Sequence, residues 1–313
     1  MKKKKEKKKK KRKEEEVESE EEPQQPAAKK KKRKNEHENK DDEEDIEEVD
    51  QKTTRHRISF TPFIEFLKKF TTNEEFSPQL SAILSNTPFW PLIKACIDGK
   101  INEDEHTRSD YALNLLLRHY DDNTHEFHIG ETRARITDMD VTDILGLPNA
   151  GEDVEIEKSA ARHSDEALIK TYFAKCKRIK KGVVDEAADA VLKNRKWNDV
   201  AGMIVAQLMI LILFPNTTQA ISWKLFSYCD DVDKLGKYAW AKVVNGKLKM
   251  SLVGRPKHPG GCLLLVLFWY REKSNIVKPT EGKESEMPSL IKWNMRELHK
   301  ALRASNEDLR LCS

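Results

Sequence analysis

Cysteine is scarce in this chain and poorly placed for chemistry. The five residues, Cys96, Cys176, Cys229, Cys262 and Cys312, are far apart and form no C-x-x-C pair. Structural zinc sites and disulfide frameworks both rest on close, repeated spacing, so free thiols in a reducing compartment are expected. Long apolar runs are lacking too. The two longest are Met203–Phe214, interrupted only by Gln207, and Cys262–Tyr270. Both fall well short of the roughly 20 residues a membrane span needs. The N-terminus is charged throughout and has no apolar signal-peptide core. The expectation is a soluble, intracellular protein without a membrane partner. No internal repeat is visible, which excludes solenoid and propeller architectures.

Apolar side chains are almost absent from residues 1–50, which hold only Met1, Val17, Ala27, Ala28, Ile46 and Val49. The same stretch holds 18 basic and 18 acidic side chains. They are sorted into blocks: Lys2–Lys13 basic, Glu14–Glu22 acidic, Lys29–Lys34 basic, Glu36–Asp50 acidic. Such a segment cannot bury enough apolar surface to offset the entropy of ordering, so residues 1–56 are expected to form a disordered charge-block tail. Its charge sums to zero. The formal net charge of +4 belongs to the remainder, with 39 basic against 35 acidic residues. A sequence pI of about 8.6 falls short of the roughly 9 typical of a basic nucleic-acid-binding domain.

Two clusters in the tail match what nuclear import receptors bind. One is Lys7, Lys8, Lys9, Lys10, Lys11, Arg12 and Lys13. The other is Lys29, Lys30, Lys31, Lys32, Arg33 and Lys34. A nuclear protein with an import receptor as partner is expected. Lysine runs also bind phosphate weakly and without sequence preference, and the neighbouring acidic blocks oppose that binding.

Beyond the tail, the apolar spacing predicts a mainly α fold. It is a single helical domain over 57–277 with a small β-hairpin near 127–136, followed by a linker and C-terminal helix over 278–313. Thr61-Pro62 opens an amphipathic helix carrying Phe63, Ile64, Leu67 and Phe70. Further helices are expected after Pro78, over Phe89–Ile97 and over Tyr111–Tyr120. Phe127 and Ile129, then Ala134 and Ile136, alternate with polar residues around Gly130, as a hairpin does. Thr137 reads as a helix N-cap, with Asp140 completing a capping box and Gly146 ending the helix before Pro148. Residues 151–184 are polar with scattered helix. Asp185–Asn198 reads as helix, and Val200–Phe214 as a central helix buried on all sides. Short helices are expected over Trp223–Tyr228 and Val232–Val244. A Gly/Pro-rich loop follows over Gly246–Gly261, then an apolar helix over Cys262–Arg271. Pro279–Pro288 reads as a polar linker and Leu290–Leu309 as an amphipathic helix.

Three stretches in this order resemble a known family. The first is Phe127-x-Ile129-Gly130-Glu131, followed by Ile136-Thr137-x-x-Asp140-Val141-x-x-Ile144-Leu145-Gly146-Leu147-Pro148. The second is Leu211-Ile212-Leu213-Phe214-Pro215. The third is Leu235-Gly236-Lys237-Tyr238-Ala239-Trp240 with the run from Gly261 to Trp269. Across residues 60–275 the chain resembles the plant mobile domain, also called aminotransferase-like, of plant transposable elements and host proteins derived from them. The resemblance implies a nuclear, non-enzymatic module linked to gene silencing, genome integrity and meristem maintenance. Related plant chains continue into a ubiquitin-like-protein cysteine protease. The alternatives are therefore an orphan N-terminal half of such an element protein, or nonspecific nucleic-acid binding through the basic tail.

The name aminotransferase-like suggests pyridoxal phosphate, which needs a Schiff-base lysine, a phosphate cup and an acidic partner for the ring nitrogen. No stretch joins a Gly/Ser/Thr-rich loop to a lysine. Gly260-Gly261 reads as loop, and no cofactor is expected. His125 and His128 are three apart but sit at a strand start with no third ligand, so they read as surface residues. Cys262 opens an apolar helix four residues after His258. Helix N-termini lower a thiol pKa, yet a buried structural cysteine is the simpler reading. Asp230, Asp231 and Asp233 read as helix capping and solvated charge. Trp223, Trp240 and Trp269 read as core. Arg133 and Arg135, on the solvent side of the hairpin, form a candidate interaction surface together with Lys177, Arg178, Lys180 and Lys181, for phosphate or an acidic partner. Unknown nuclear proteins complete the expected partners.

Overall fold

The computed structural model describes residues 58–72, 75–102, 105–106, 109–156, 167–254, 256–305 and 309–311. Both import clusters and the acidic tail blocks lie outside the described residues. From Gln51 onward the chain is one compact unit, and it is mainly α-helical.

Eleven α-helices carry the described fold. They are α1 (Thr61–Lys68), α2 (Pro78–Leu84), α3 (Trp90–Ile97), α4 (Asp110–Leu117), α5 (Asp138–Leu145), α6 (Lys181–Lys193), α7 (Trp197–Leu208), α8 (Trp223–Ser227), α9 (Trp240–Leu252), α10 (Leu264–Lys273) and α11 (Met295–Ala304). Strands are short: β1 (Thr71–Thr72), β2 (Glu75–Phe76), β3 (Tyr120–Asp121), β4 (Glu126–Ile129), β5 (Thr132–Ala134), β6 (Ile179–Lys180) and β7 (Ala220–Ile221). They pair as three separate antiparallel sheets, β1-β2, β3-β4-β5 and β6-β7.

The centre is α7 with the wide π-type turn Met209–Leu213 that continues it. Every residue from Val200 to Pro215 is buried, as the unbroken apolar sequence predicts. Helix α7 lies against α1, α2, α6 and the turn Tyr228–Asp230. Gly202 makes the last of these possible: a Cβ there would stand 2.5 Å from the Cys229 carbonyl oxygen. Gln207, the one polar residue in the run, is fully buried. Its Nε2 donates to the Lys181 carbonyl and to Asp185 Oδ1, both at 3.0 Å. The polar interruption thus ties α7 to the start of α6.

The segment around the hairpin follows local chemistry. Phe127 and Ile129 face the core, and Phe127 packs on Trp269 with centroids 4.9 Å apart. Thr137 Oγ1 accepts from the Asp140 amide at 3.1 Å, and the Asp140 carboxylate accepts from the Thr137 amide at 2.8 Å. This is the capping box. Gly146 ends α5 at φ +73°. Helix α9 is then clamped to α5 by buried Asn245, whose Nδ2 donates to Asp138 Oδ1 at 2.6 Å.

Several expected boundaries are corrected. The Tyr111–Tyr120 helix stops at Leu117, because Tyr120 leaves it to pair with Phe127 and add a third strand to the hairpin. The Asp185–Asn198 helix begins earlier, at Lys181, since Val184 starts its buried face. It ends at Lys193, where Arg195 turns to φ +52°, and Trp197-Asn198 open α7. The Val232–Val244 helix is split into a 3-10 segment, Val232–Lys237, and α9. The break arises from a residue distant in sequence: the Glu152 amide donates to Lys237 O and the Ala239 amide to Glu152 O. Gly151 permits this, since a Cβ there would stand 2.3 Å from Lys237 O. The Gly246–Gly261 loop begins only after Leu252, because the buried face Val244, Leu248, Leu252 carries α9 past Gly246. Leu290–Leu309 is a 3-10 turn, Ser289–Lys292, and then α11, started by the Asn294 side chain accepting from the Arg296 and Glu297 amides.

Residues beyond 277 join the same core: Leu290, Ile291, Leu298 and Leu302 are buried in it. Arg271, also buried, lies 4.0 Å over the Trp293 ring, and the Trp293 Nε1 donates to Glu272 at 2.8 Å. Buried His106 closes the seam, its Nε2 donating to the Leu290 carbonyl at 3.3 Å. Burial holds the His106 imidazole below its ordinary value, against the pull of its backbone partners and of Glu105; Lys283 also faces it.

Two predictions follow from these contacts. Gly202→Ala should lower stability by about 1–3 kcal/mol, as overpacking does, whereas Gly246→Ala, whose Cβ would meet nothing within 4 Å, should raise it by up to about 1 kcal/mol. Urea unfolding of both variants checks the contrast. Below about pH 6.5 the unfolded chain takes up a proton that the buried His106 resists. The urea midpoint should therefore fall between pH 7 and pH 5, and His106→Gln should flatten that fall. His299, whose imidazole burial and Arg303 also hold low, remains in both chains as the internal reference.

Candidate functional site

Residues 167–184 contain six basic side chains and no acidic one. The structure turns this run into a ridge on the core. Its foot is apolar: Phe173 is fully buried edge-on against Phe226, with centroids 4.8 Å apart, and Ile179 is fully buried where β6 pairs with Ile221 of β7. Strand alternation then points Lys180 outward. The Lys181 amide donates to the Gln219 carbonyl at 2.9 Å, and Gln207 holds the Lys181 carbonyl from below.

Lys175, Lys177, Arg178 and Lys180 are exposed, and their side chains form no ion pair among the described residues. Of the acids that follow in sequence, Glu186 is exposed without an ion pair among the described residues, and three others are engaged. Asp185 pairs with Lys181 at 2.7 Å, Asp189 with Lys69 at 3.0 Å, and Asp199 accepts from the Tyr172 hydroxyl at 2.8 Å. That hydrogen bond and partial burial push the Tyr172 phenol up to about 12, burial being the larger cause. Beside the ridge lies the exposed polar turn Thr217, Thr218, Gln219. Asn216 shapes it, its Oδ1 accepting from Thr218 Oγ1 at 2.7 Å and its Nδ2 donating to Ala220 O at 2.6 Å.

The six residues expected from sequence to share one surface divide into two groups. Lys177, Arg178 and Lys180 stand on the ridge. Lys181 is at its end, but its amine is committed to Asp185. Arg133 and Arg135 are exposed at β5, the edge of a different sheet. Sequence reading missed Lys175 and the 217–219 turn. The acid-free stretch was the signal for the lysine; the turn arrives only through β6–β7 pairing.

The other candidates resolve into structure. Cys262 is fully buried, and burial pushes its thiol up to about 12 despite two backbone amides that favour the thiolate. His258 is exposed. Such a thiol is the opposite of the activated nucleophile a cysteine protease needs. Burial likewise raises the Cys96 and Cys229 thiols. His125 shares a hydrogen bond with the Tyr120 hydroxyl at 2.9 Å, and among the described residues no group of three or more His, Cys, Asp or Glu is arranged to hold a metal. Asp230 accepts from the Leu168 amide at 2.6 Å, fixing the start of the ridge segment. The Asp231 carboxyl is held below the usual range, first by its hydrogen bond to Lys234. Gly260 and Gly261 let the loop pass close to Pro215 and to the backbone of α9. Trp240 and Trp269 are fully buried, while Trp223 is half-buried against the core. A hollow of about 380 Å³ beside α1 and α3 carries Glu65 and Lys68 at a largely apolar lining. Among the described residues, no helix is long and apolar enough to cross a membrane.

A family model described as a domain of unknown function, DUF8566, matches residues 103–266, just over half of the chain. The chain belongs to this family. No curated protein and no solved structure matches it. The DUF8566 region contains the three-stranded sheet, α5 to α9 and the whole basic ridge, and it ends within α10. Helices α1, α2 and α3, which pack on that region, and α11 lie outside the match.

The thiols give a direct check of this geometry. Iodoacetamide applied to the native chain should label half-buried Cys176 far faster than Cys262, Cys229 or Cys96. Unfolding in urea should equalise the four, as read by peptide-resolved mass spectrometry.

Proposed function

We propose that this chain is a non-enzymatic nuclear interaction module. Supporting this most directly are the two lysine-rich clusters, Lys7–Lys13 and Lys29–Lys34, each dense enough for an import receptor. The folded part adds a basic ridge available to a partner and buried thiols without nucleophilic character. The resemblance to plant mobile domains extends the proposal to transposon origin and to work in gene silencing, genome integrity or meristem maintenance. In this reading the tail addresses the protein and the DUF8566 region makes the contacts.

A fluorescent fusion of the full chain should concentrate in plant nuclei, and deletion of residues 1–34 should bring its nuclear-to-cytoplasmic ratio down to about that of the fluorescent protein alone. A full-length fusion that stays cytoplasmic would overturn the import assignment.

A further inference from the structure

We propose that the ridge Lys175–Lys180 is a contact surface for the phosphate backbone of nucleic acid, distinct from any contribution of the tail. The inference rests on the nuclear reading above and gives the folded domain a partner class.

Four features of the ridge carry it. Its charge is uncompensated: Lys175, Lys177, Arg178 and Lys180 are exposed and form no ion pair among the described residues. Lys94, Lys234, Lys242 and Lys300 are paired with Asp98, Asp231, Asp153 and Glu297, while the exposed Lys278 is unpaired among the described residues but stands apart from other cations in sequence. The ridge is also held from beneath. Buried Phe173 and Ile179 anchor it, and β6–β7 pairing with the Lys181–Gln219 bond fixes its end. Charges held on a positioned backbone lose little freedom on binding.

The dimensions suit a polyanion. Four cations fall within the six residues from Lys175 to Lys180, and duplex DNA presents one negative charge per about 1.7 Å of axis. Finally, the surroundings favour nucleic acid over a protein partner. Protein interfaces have an apolar, aromatic-rich core and are depleted in lysine. Here the flanking residues are Thr217, Thr218 and Gln219, which are phosphate and sugar contacts by type. The exposed large apolar residues, Tyr111, Met139, Met250, Val253 and Met287, all lie in other segments.

The ridge provides positioning and affinity through counter-ion release; among the described residues no base-reading element accompanies it, so binding should be indifferent to sequence. With four phosphate contacts, the slope of log K against log salt carries a ridge contribution of about −3.6 for duplex DNA.

The test compares full-length chains by fluorescence anisotropy on a labelled duplex between 50 and 200 mM salt. They are the natural chain, a ridge variant (Lys175→Gln, Lys177→Gln, Arg178→Gln, Lys180→Gln) and an equal-charge control (Lys94→Gln, Lys234→Gln, Lys242→Gln, Lys300→Gln). Urea midpoints establish that each is folded, and a ridge carrying Lys175→Arg, Lys177→Arg and Lys180→Arg tests rescue. The expected result is a salt slope shallower by about 3–4 in the ridge variant only, with the arginine version restoring it. Equal slopes for the natural chain and ridge variant would overturn the proposal, as would equal losses in ridge variant and control, which would mean bulk charge. A twenty-residue glutamate peptide that binds the natural chain more tightly than the duplex, and not the ridge variant, would assign the ridge to acidic proteins instead. None of these results touches the localisation experiment, so import and ridge binding succeed or fail separately.

Discussion

The fold depends on keeping the run from Val200 to Leu213 out of water. Helix α7 and its π-type continuation bury every side chain from Val200 to Leu213, at about 1.5–3 kcal/mol for each large apolar residue. That requires neighbours on all sides, and the neighbours come from sequence positions as distant as α1 and the Tyr228–Asp230 turn. The closest approach is at Gly202, where the Cys229 carbonyl occupies the space of a side chain. The single polar group in the run, Gln207, is used rather than tolerated, since its two donated bonds fix where α6 begins.

The basic ridge is a consequence of that packing. Residues 169–180 leave the core through Phe173 and return through Ile179, and the charged residues are those that the two anchors leave outside. Gln207 and Asp185 hold the far end. A surface of unpaired cations is costly to hold together through mutual repulsion, and nothing in the helical core requires one. Its position beside a polar turn without acidic residues is the physical basis of the proposed contact with a polyanion. The C-terminal segment has a different role. Through Arg271–Trp293, His106–Leu290 and the ion pair of Lys283 with Glu105 at 2.6 Å, it closes the core on the side of α4 and α10.

Elements whose cause is local were legible in the sequence. The Thr137–Asp140 capping box, the Gly146 stop, the Phe127/Ile129 alternation and the all-round apolarity of Val200–Phe214 each state their conformation within a few residues. The elements that escaped share one property, which is that a distant segment decides them. Tyr120 looks helical until β4 offers it a strand partner. Gly246 looks like a breaker, yet the buried face of α9 outweighs its propensity cost of about 1 kcal/mol. The split at Tyr238–Ala239 is made by Glu152, and Gly151 is a glycine because both its φ of +132° and the Lys237 O lying where its Cβ would be exclude a side chain.

The candidate site divides in the same way. Sequence alone determined the mainly helical class, the central buried helix, the capped helix after the hairpin and the presence of an acid-free basic stretch, because these follow from short-range periodicity and composition. Tertiary structure decided that Lys175, Lys177, Arg178 and Lys180 act as one ridge while Arg133 and Arg135 stand on another sheet. It also decided that Lys181 is spent on Asp185 and that Cys262 is too buried to be a nucleophile. Pairing, burial and charge compensation depend on which distant groups arrive beside a residue, and a linear pattern does not carry that information.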